Sequence, residues 1–203
     1  MLSGIYAIVD RSLCDAPLDL LEAVLDGGVR VVQYRAKAGV DRALVRALAE
    51  RARARGALLI VNDDLEAALE ADGLHVGQED LVAYGGAGLR ARLGARIFGI
   101  SCGLASEALG AERLGADYVG AGPFAPTATK GDAGEAIGAQ GVRRVVEATR
   151  LPVAAIGGIG LAALPEVAAS GAAMAAVASA IARASDPRAA AAALVARWRT
   201  LVP

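Results

Sequence analysis

The sequence predicts a single-domain, parallel (β/α)8 barrel of the TIM type, with its active site at the C-terminal ends of the strands. Three observations carry that expectation. Short apolar runs alternate with amphipathic stretches from one end of the chain to the other. Each run is β-rich or small and largely apolar, as expected for parallel strands covered on both faces. The chain has 203 residues, long enough for one well-buried core and short enough to need no second domain. An open, doubly wound sheet shares this pattern and stands as the alternative, because periodicity does not show closure.

The elements follow in order. The strand runs are Gly4–Val9, Val29–Tyr34, Ala57–Val61, Gly73–Val76, Ile97–Ser101, Tyr118–Ala121, Val153–Ile156 and Ala173–Ala178. The helical stretches between and after them are Pro17–Asp26, Asp41–Arg55, Asp64–Glu70, Leu89–Leu93, Ser106–Leu114, Gln140–Thr149, Leu161–Ala169 and Asp186–Trp198. Most carry apolar residues at helical spacing. Gly27, Gly56, Gly115 and Gly171 suit helix C-termini, and Asp64 suits an N-cap. Ala189–Ala193 reads as a helix face and Trp198 as packing. No linker, low-complexity tail or charge run divides residues 1–203.

Composition narrows the function classes. Hydrophobic residues make up 55% of the chain and the net charge is −1, so it is globular and shows no basic stripe for nucleic acid. No apolar run approaches the roughly 18 residues of a membrane span. Cys14 and Cys102 form no metal or redox motif, and a reducing cytoplasm is the expected compartment.

Rare polar residues mark the chemistry. Of 21 Lys+Arg, only Lys37 and Lys130 are lysine; Asn62 is the only Asn and His75 the only His. Such residues gather after the strand runs. Arg35 and Lys37 follow the second run, two apart, so an extended segment points both the same way. Arginine grips a phosphate with paired donors and lysine adds a point charge. Asn62, Asp63 and Asp64 follow the third run, and Gln78 and Asp80 the fourth. Asp63 and Asp80 are candidate ligands for Mg2+, which takes one or two carboxylates and completes its shell with phosphate and water. Ser101 ends the fifth run. The Pro/Thr/Lys loop Gly120–Lys130 follows the sixth, with Thr127 and Thr129 offering hydroxyls beside Lys130. Gly157-Gly158 and Ser179 follow the last two, where barrels often seat a phosphate. His75, inside an apolar run, reads as a satisfied core histidine, and Cys102 has no partner spacing for a nucleophile.

Together and in this order, these motifs resemble the thiamine-phosphate synthase family. The likeness runs from Tyr6–Asp10 to Val177–Ile181 and includes Gln-x-Arg-x-Lys at 33–37, Asn62-Asp63-Asp64, Asp72–Asp80, Gly99-Ile100-Ser101, the Gly122–Lys130 loop and Ile156-Gly157-Gly158-Ile159. The resemblance implies a (β/α)8 barrel that joins hydroxymethylpyrimidine diphosphate to a thiazole phosphate with Mg2+, releasing pyrophosphate. It implies that Gln33, Arg35, Lys37, Asn62, Ser101 and Lys130 hold the pyrimidine diphosphate, with Tyr34 and Ala36 in the same element. Arg35, Lys37, Ser101 and Lys130 would be catalytic, and Asp63 and Asp80 would hold Mg2+. Thr127, Ala128, Thr129, Gly158, Ala178 and Ser179 would line the thiazole-phosphate site. A homo-oligomer is compatible with the family. Two departures stand out. Gly103 occupies a position where the family commonly has His, and Phe124-Ala125 replaces an aliphatic–aromatic pair. A related thiazole tautomerase uses a His at the Gly103 position, so its absence disfavours that rival activity. A non-catalytic binder of thiamine precursors is the third reading.

Overall fold

The structure, a computed structural model, describes residues 2–127 and 134–202. Eight strands alternate with helices: β1 (Gly4–Asp10), α1 (Pro17–Asp26), β2 (Val31–Arg35), α2 (Arg42–Ala54), β3 (Leu58–Asn62), α3 (Leu65–Ala68), β4 (Gly73–Val76), α4 (Gln78–Ala83), α5 (Ala87–Leu93), β5 (Ile97–Cys102), α6 (Ala105–Arg113), β6 (Tyr118–Ala121), α7 (Gly138–Ala148), β7 (Val153–Ile156), α8 (Leu164–Ala169), β8 (Met174–Val177), α9 (Ser179–Ala182) and α10 (Pro187–Leu201). A 3-10 turn at Leu161–Ala163 leads into α8. The strands pair in sequence order, all parallel, and β8 returns to β1 through Gly4↔Met174 to Ala7↔Val177. The barrel is therefore closed, and the open-sheet alternative falls.

Side-chain alternation explains how one sheet builds two cores. Along β1, Ile5, Ala7 and Val9 pack outward into the large cluster between barrel and helices. Tyr6 and Ile8 point inward and meet Val31, Ile60, Tyr118, Ala154, Met174 and Ala176. Both faces are buried, which is why the strand runs are largely apolar.

The helix ends follow local chemistry. Asp41 caps α2 by accepting from the N–H groups of Ala43 and Leu44, and Asp64 caps α3 by accepting from Ala67 N at 2.8 Å. Gly56, Gly115 and Gly171 take positive φ, as expected after a helix. Gly27 does not: its φ is −71°, and Gly28 makes the left-handed turn instead. Gly27 has another reason to lack a side chain, since a Cβ there would lie 2.6 Å from Ala191 Cβ of α10. The alanine-rich face of α10 is this contact, with Ala191, Leu194 and Trp198 buried along one stripe. Two short helices, α4 and α9, lie within stretches that the sequence reads only as polar strand ends. Among the described residues no helix is long and apolar enough to cross a membrane.

Candidate active site

Parallel strands deliver all their C-terminal ends to one rim. A cavity of about 1040 Å³ opens there. The second strand and its loop contribute Gln33, Arg35, Ala36 and Lys37; the third and fourth contribute Asn62, Asp63 and Asp80; the fifth contributes Ser101. Across the mouth stand Thr127, Gly158, Ala178 and Ser179. The side chain of Tyr34 is not on this wall: alternation turns it outward, to a separate groove with Arg11, Asp15 and Leu44. Ala128, Thr129 and Lys130 lie outside the described residues.

The cationic edge is held by a residue whose role the sequence did not reveal. Asp10 ends β1 directly opposite Arg35 at the end of β2. Its Oδ2 accepts from Arg35 Nη1 at 2.5 Å, and its Oδ1 accepts from Ser12 N at 2.8 Å and Ser12 Oγ at 2.7 Å. Burial pushes the Asp10 carboxyl up, but the donors of Ser12 and Arg35 outweigh it and hold the group below the usual carboxylate range. The guanidinium is therefore fixed on one side and presents its remaining donors to the cavity.

The acidic edge has the opposite character. Asp63 adopts φ +63°, unusual for a residue with a side chain. Its N–H donates to the His75 carbonyl at 2.8 Å, and its carbonyl accepts from Tyr84 Oη at 2.7 Å, which locks that turn. Oδ1 accepts weakly from Gly77 N at 3.4 Å and Oδ2 accepts from Asn62 Nδ2. The Asp63 carboxyl is raised, first by burial and then by the negative charge of Asp80. Two facing carboxylates that repel each other fit a hard divalent cation between them. No group of three His, Cys, Asp or Glu side chains capable of holding a metal occurs among the described residues.

Opposite these edges, Gly157 and Gly158 take φ values of +101° and +66°. A Cβ on Gly157 would lie 2.7 Å from Pro123 Cβ, and one on Gly158 would lie 2.9 Å from Ala125 Cβ. The glycines thus serve both the turn and its close approach to the loop after β6. Phe124 of that loop is buried in the outer core, where it replaces apolar packing rather than lining the cavity.

The cavity floor is polar. His75 is buried, and both ring nitrogens are bonded, as expected, yet its ring also lines the cavity rather than closing into the apolar core. Cys102 is buried at the wall, and burial, with help from Glu107, pushes its thiol up to about 12, so it offers no thiolate. The Gly103 N–H donates to Glu107 Oε2 at 2.6 Å, and the position carries no side chain into the cavity it borders.

The chain is similar to known proteins in both sequence and fold. The family described as thiamine monophosphate synthase matches residues 5–181. A thiamine-phosphate synthase from Geobacillus kaustophilus is 44% identical over 201 residues, covering 94% of this chain and 90% of that protein. A thiamine biosynthesis bifunctional protein from Symbiobacterium thermophilum is 49% identical over 198 residues; the match takes in 95% of this chain but spans only 40% of that protein's length. The solved structure of a thiamine phosphate pyrophosphorylase from Pyrococcus furiosus superposes with a TM-score of 0.89 at 33% identity, covering 98% of this chain and 97% of that one. With its closed barrel and its ordered strand-end motifs, this chain belongs to the thiamine monophosphate synthase family.

Proposed function

We propose that the cavity joins hydroxymethylpyrimidine diphosphate to a thiazole phosphate, giving thiamine phosphate and pyrophosphate. The observation that carries this reading is the pairing of Arg35 and Lys37 with the mutually repelling Asp63 and Asp80 on the wall of one cavity. An isomerase has no diphosphate to expel and no need for such a set. In the reaction the bond between the pyrimidine methylene carbon and the diphosphate oxygen breaks, and its electrons leave with the oxygen. The electron-rich aminopyrimidine ring stabilises the methylene cation. The lone pair of the thiazole nitrogen then forms the new carbon–nitrogen bond. No protein nucleophile takes part.

The chain supplies charge and position. Arg35, held by Asp10, and Lys37 meet the growing negative charge on the diphosphate. Lys130, on the loop after β6, adds a further cation in this reading. Ser101 and Asn62 offer neutral donors, and Gln33 orients the pyrimidine. Asp63 and Asp80 would hold Mg2+, which neutralises leaving-group charge when bound. Thr127, Thr129, Gly158, Ala178 and Ser179 would receive the thiazole phosphate, with Ala128 part of the same loop. The substrates are small molecules throughout.

The test is a product assay. The purified protein, given both substrates and Mg2+, is expected to release pyrophosphate and thiamine phosphate in equal amounts. Given a non-aromatic thiazole tautomer alone, it is expected not to speed conversion to the aromatic form, because Gly103 has no side chain to move a proton. Tautomer conversion without pyrophosphate release would overturn the proposal.

A further inference from the structure

Five polar side chains form one hydrogen-bonded chain across the barrel interior. Gln33 Nε2 donates to Tyr6 Oη at 2.8 Å, and Tyr6 Oη lies 2.8 Å from Tyr118 Oη. Tyr118 Oη lies 2.9 Å from His75 Nδ1, and His75 Nε2 lies 2.9 Å from Ser101 Oγ. Tyr118 is fully buried and Tyr6 is 2% exposed. The fold makes room for them. A Cβ on Gly99 would lie 2.2 Å from the Tyr118 ring, and one on Gly120 would lie 3.2 Å from His75 Cε1. Aliphatic side chains ordinarily fill a barrel interior. A buried polar chain is tolerated only when every member is satisfied.

A buried hydroxyl proton left unpaired is costly, so the orders that pair every proton within the chain are two, each the reverse of the other. Each hydroxyl has one proton to give, and a neutral imidazole has one N–H. When Gln33 donates to Tyr6, the Tyr6 proton goes to Tyr118 and the Tyr118 proton goes to His75 Nδ1. The imidazole proton must then sit on Nε2 and point at Ser101 Oγ. Two groups are left over for a ligand: the Gln33 carbonyl oxygen as an acceptor, and the Ser101 hydroxyl as a donor. Turning the Gln33 amide over reverses every bond. Ser101 then spends its proton on His75 and can no longer donate into the cavity.

We propose that Tyr6, Tyr118 and His75 are positioning residues that set this proton order, so that an amine donor accepted at Gln33 fixes Ser101 as a donor to an anionic oxygen at the far end. This rests on the synthase reading above, whose pyrimidine substrate carries both an exocyclic amine and a diphosphate. Recognition of the base and stabilisation of its leaving group are thereby coupled through the floor of the site.

Because His75 is the only histidine in the chain, its ring can be read directly. With histidine labelled by the heavy nitrogen isotope, nuclear magnetic resonance of the whole protein is expected to show the neutral ring as the Nε2–H tautomer. Tyr118→Phe, which keeps the ring and removes the hydroxyl, is expected to replace that single tautomer with a mixture. In the kinetic arm, Tyr118→Phe should lower kcat by about 10-fold or more, short of the roughly 100-fold lost when one donor is removed outright, while leaving KM for the thiazole phosphate unchanged. Ser101→Ala, costly in the parent chain, should cost less than about 2-fold in the Tyr118→Phe background, because coupled residues are not additive. Tyr6→Phe should act in the same direction and serves if Tyr118→Phe does not fold. A parent chain in the Nδ1–H tautomer, or an equal Ser101→Ala loss in both backgrounds, would overturn the proposal. A protein that forms no thiamine phosphate would sink the synthase reading instead, while the tautomer would still report the proton order.

Discussion

Asp10 is an acid inside a barrel, and it stays charged there because Arg35 and Ser12 supply three donors. The pair is nearly dry, with side-chain exposures of 11% for Arg35 and 3% for Asp10. Removing one partner of such a pair leaves the other uncompensated. Asp10→Asn is therefore expected to destabilise the fold by roughly 3 kcal/mol and to loosen the Arg35 guanidinium. Urea midpoints and the KM for the pyrimidine diphosphate would show both effects; unchanged values would remove Asp10 from the site. The pH dependence has a definite sign. The folded-state carboxyl is lowered, so its stabilisation is present above the ordinary carboxylate range and is lost as pH falls through the lowered value. At this scale the sequence was informative where rarity and spacing spoke together, as at Lys37 and Arg35. It was silent about Asp10 because the contact joins residues 25 apart through strand register, which no local pattern encodes. Tyr34 shows the converse: it sits inside a legible motif, but alternation turns its side chain away from the cavity.

At the scale of the elements, length decided what could be read. The longer helices α1, α2, α7 and α10 show enough turns for an apolar face to repeat, and their bounds follow the sequence pattern closely. The helices α4 and α9 have 6 and 4 residues, too few for a period to appear. Gly27 looks like a helix-ending glycine, yet its φ is ordinary and its neighbour makes the turn. What it provides is room for α10 against α1, and that reason lies more than 160 residues further along the chain, at Ala191. Gly27→Ala should cost about 1–3 kcal/mol through overpacking against Ala191 Cβ and the Arg188 carbonyl. Gly88→Ala is the control. It lies within α5 with open space around its Cβ, so it should be neutral or slightly stabilising. Equal denaturation midpoints for the two variants would contradict the helix-contact account.

For the whole molecule, closure was the feature that periodicity left open. Eight apolar runs are compatible with an open sheet, and only the β1–β8 register distinguishes the two. Closure in turn explains the site, because it brings Arg35 from β2 and Ser179, next to β8, onto one rim. Many of the arginines are spent on the outer surface, as in Arg42 and Arg46 with Glu70, Arg51 and Arg55 with Glu22, and Arg90 with Asp117. Such exposed pairs contribute little each. In the proposed reaction the cations and the Asp63/Asp80 pair work on one departing diphosphate, with a hard cation between the carboxylates. The most direct test is pyrophosphate release at saturating levels of both substrates, measured before chelation, after exhaustive chelation, and after Mg2+ is restored. Release is expected to stop on chelation and to return with Mg2+ or Mn2+, the cations suited to oxygen ligands. Full turnover to thiamine phosphate in the chelated protein would contradict the proposal.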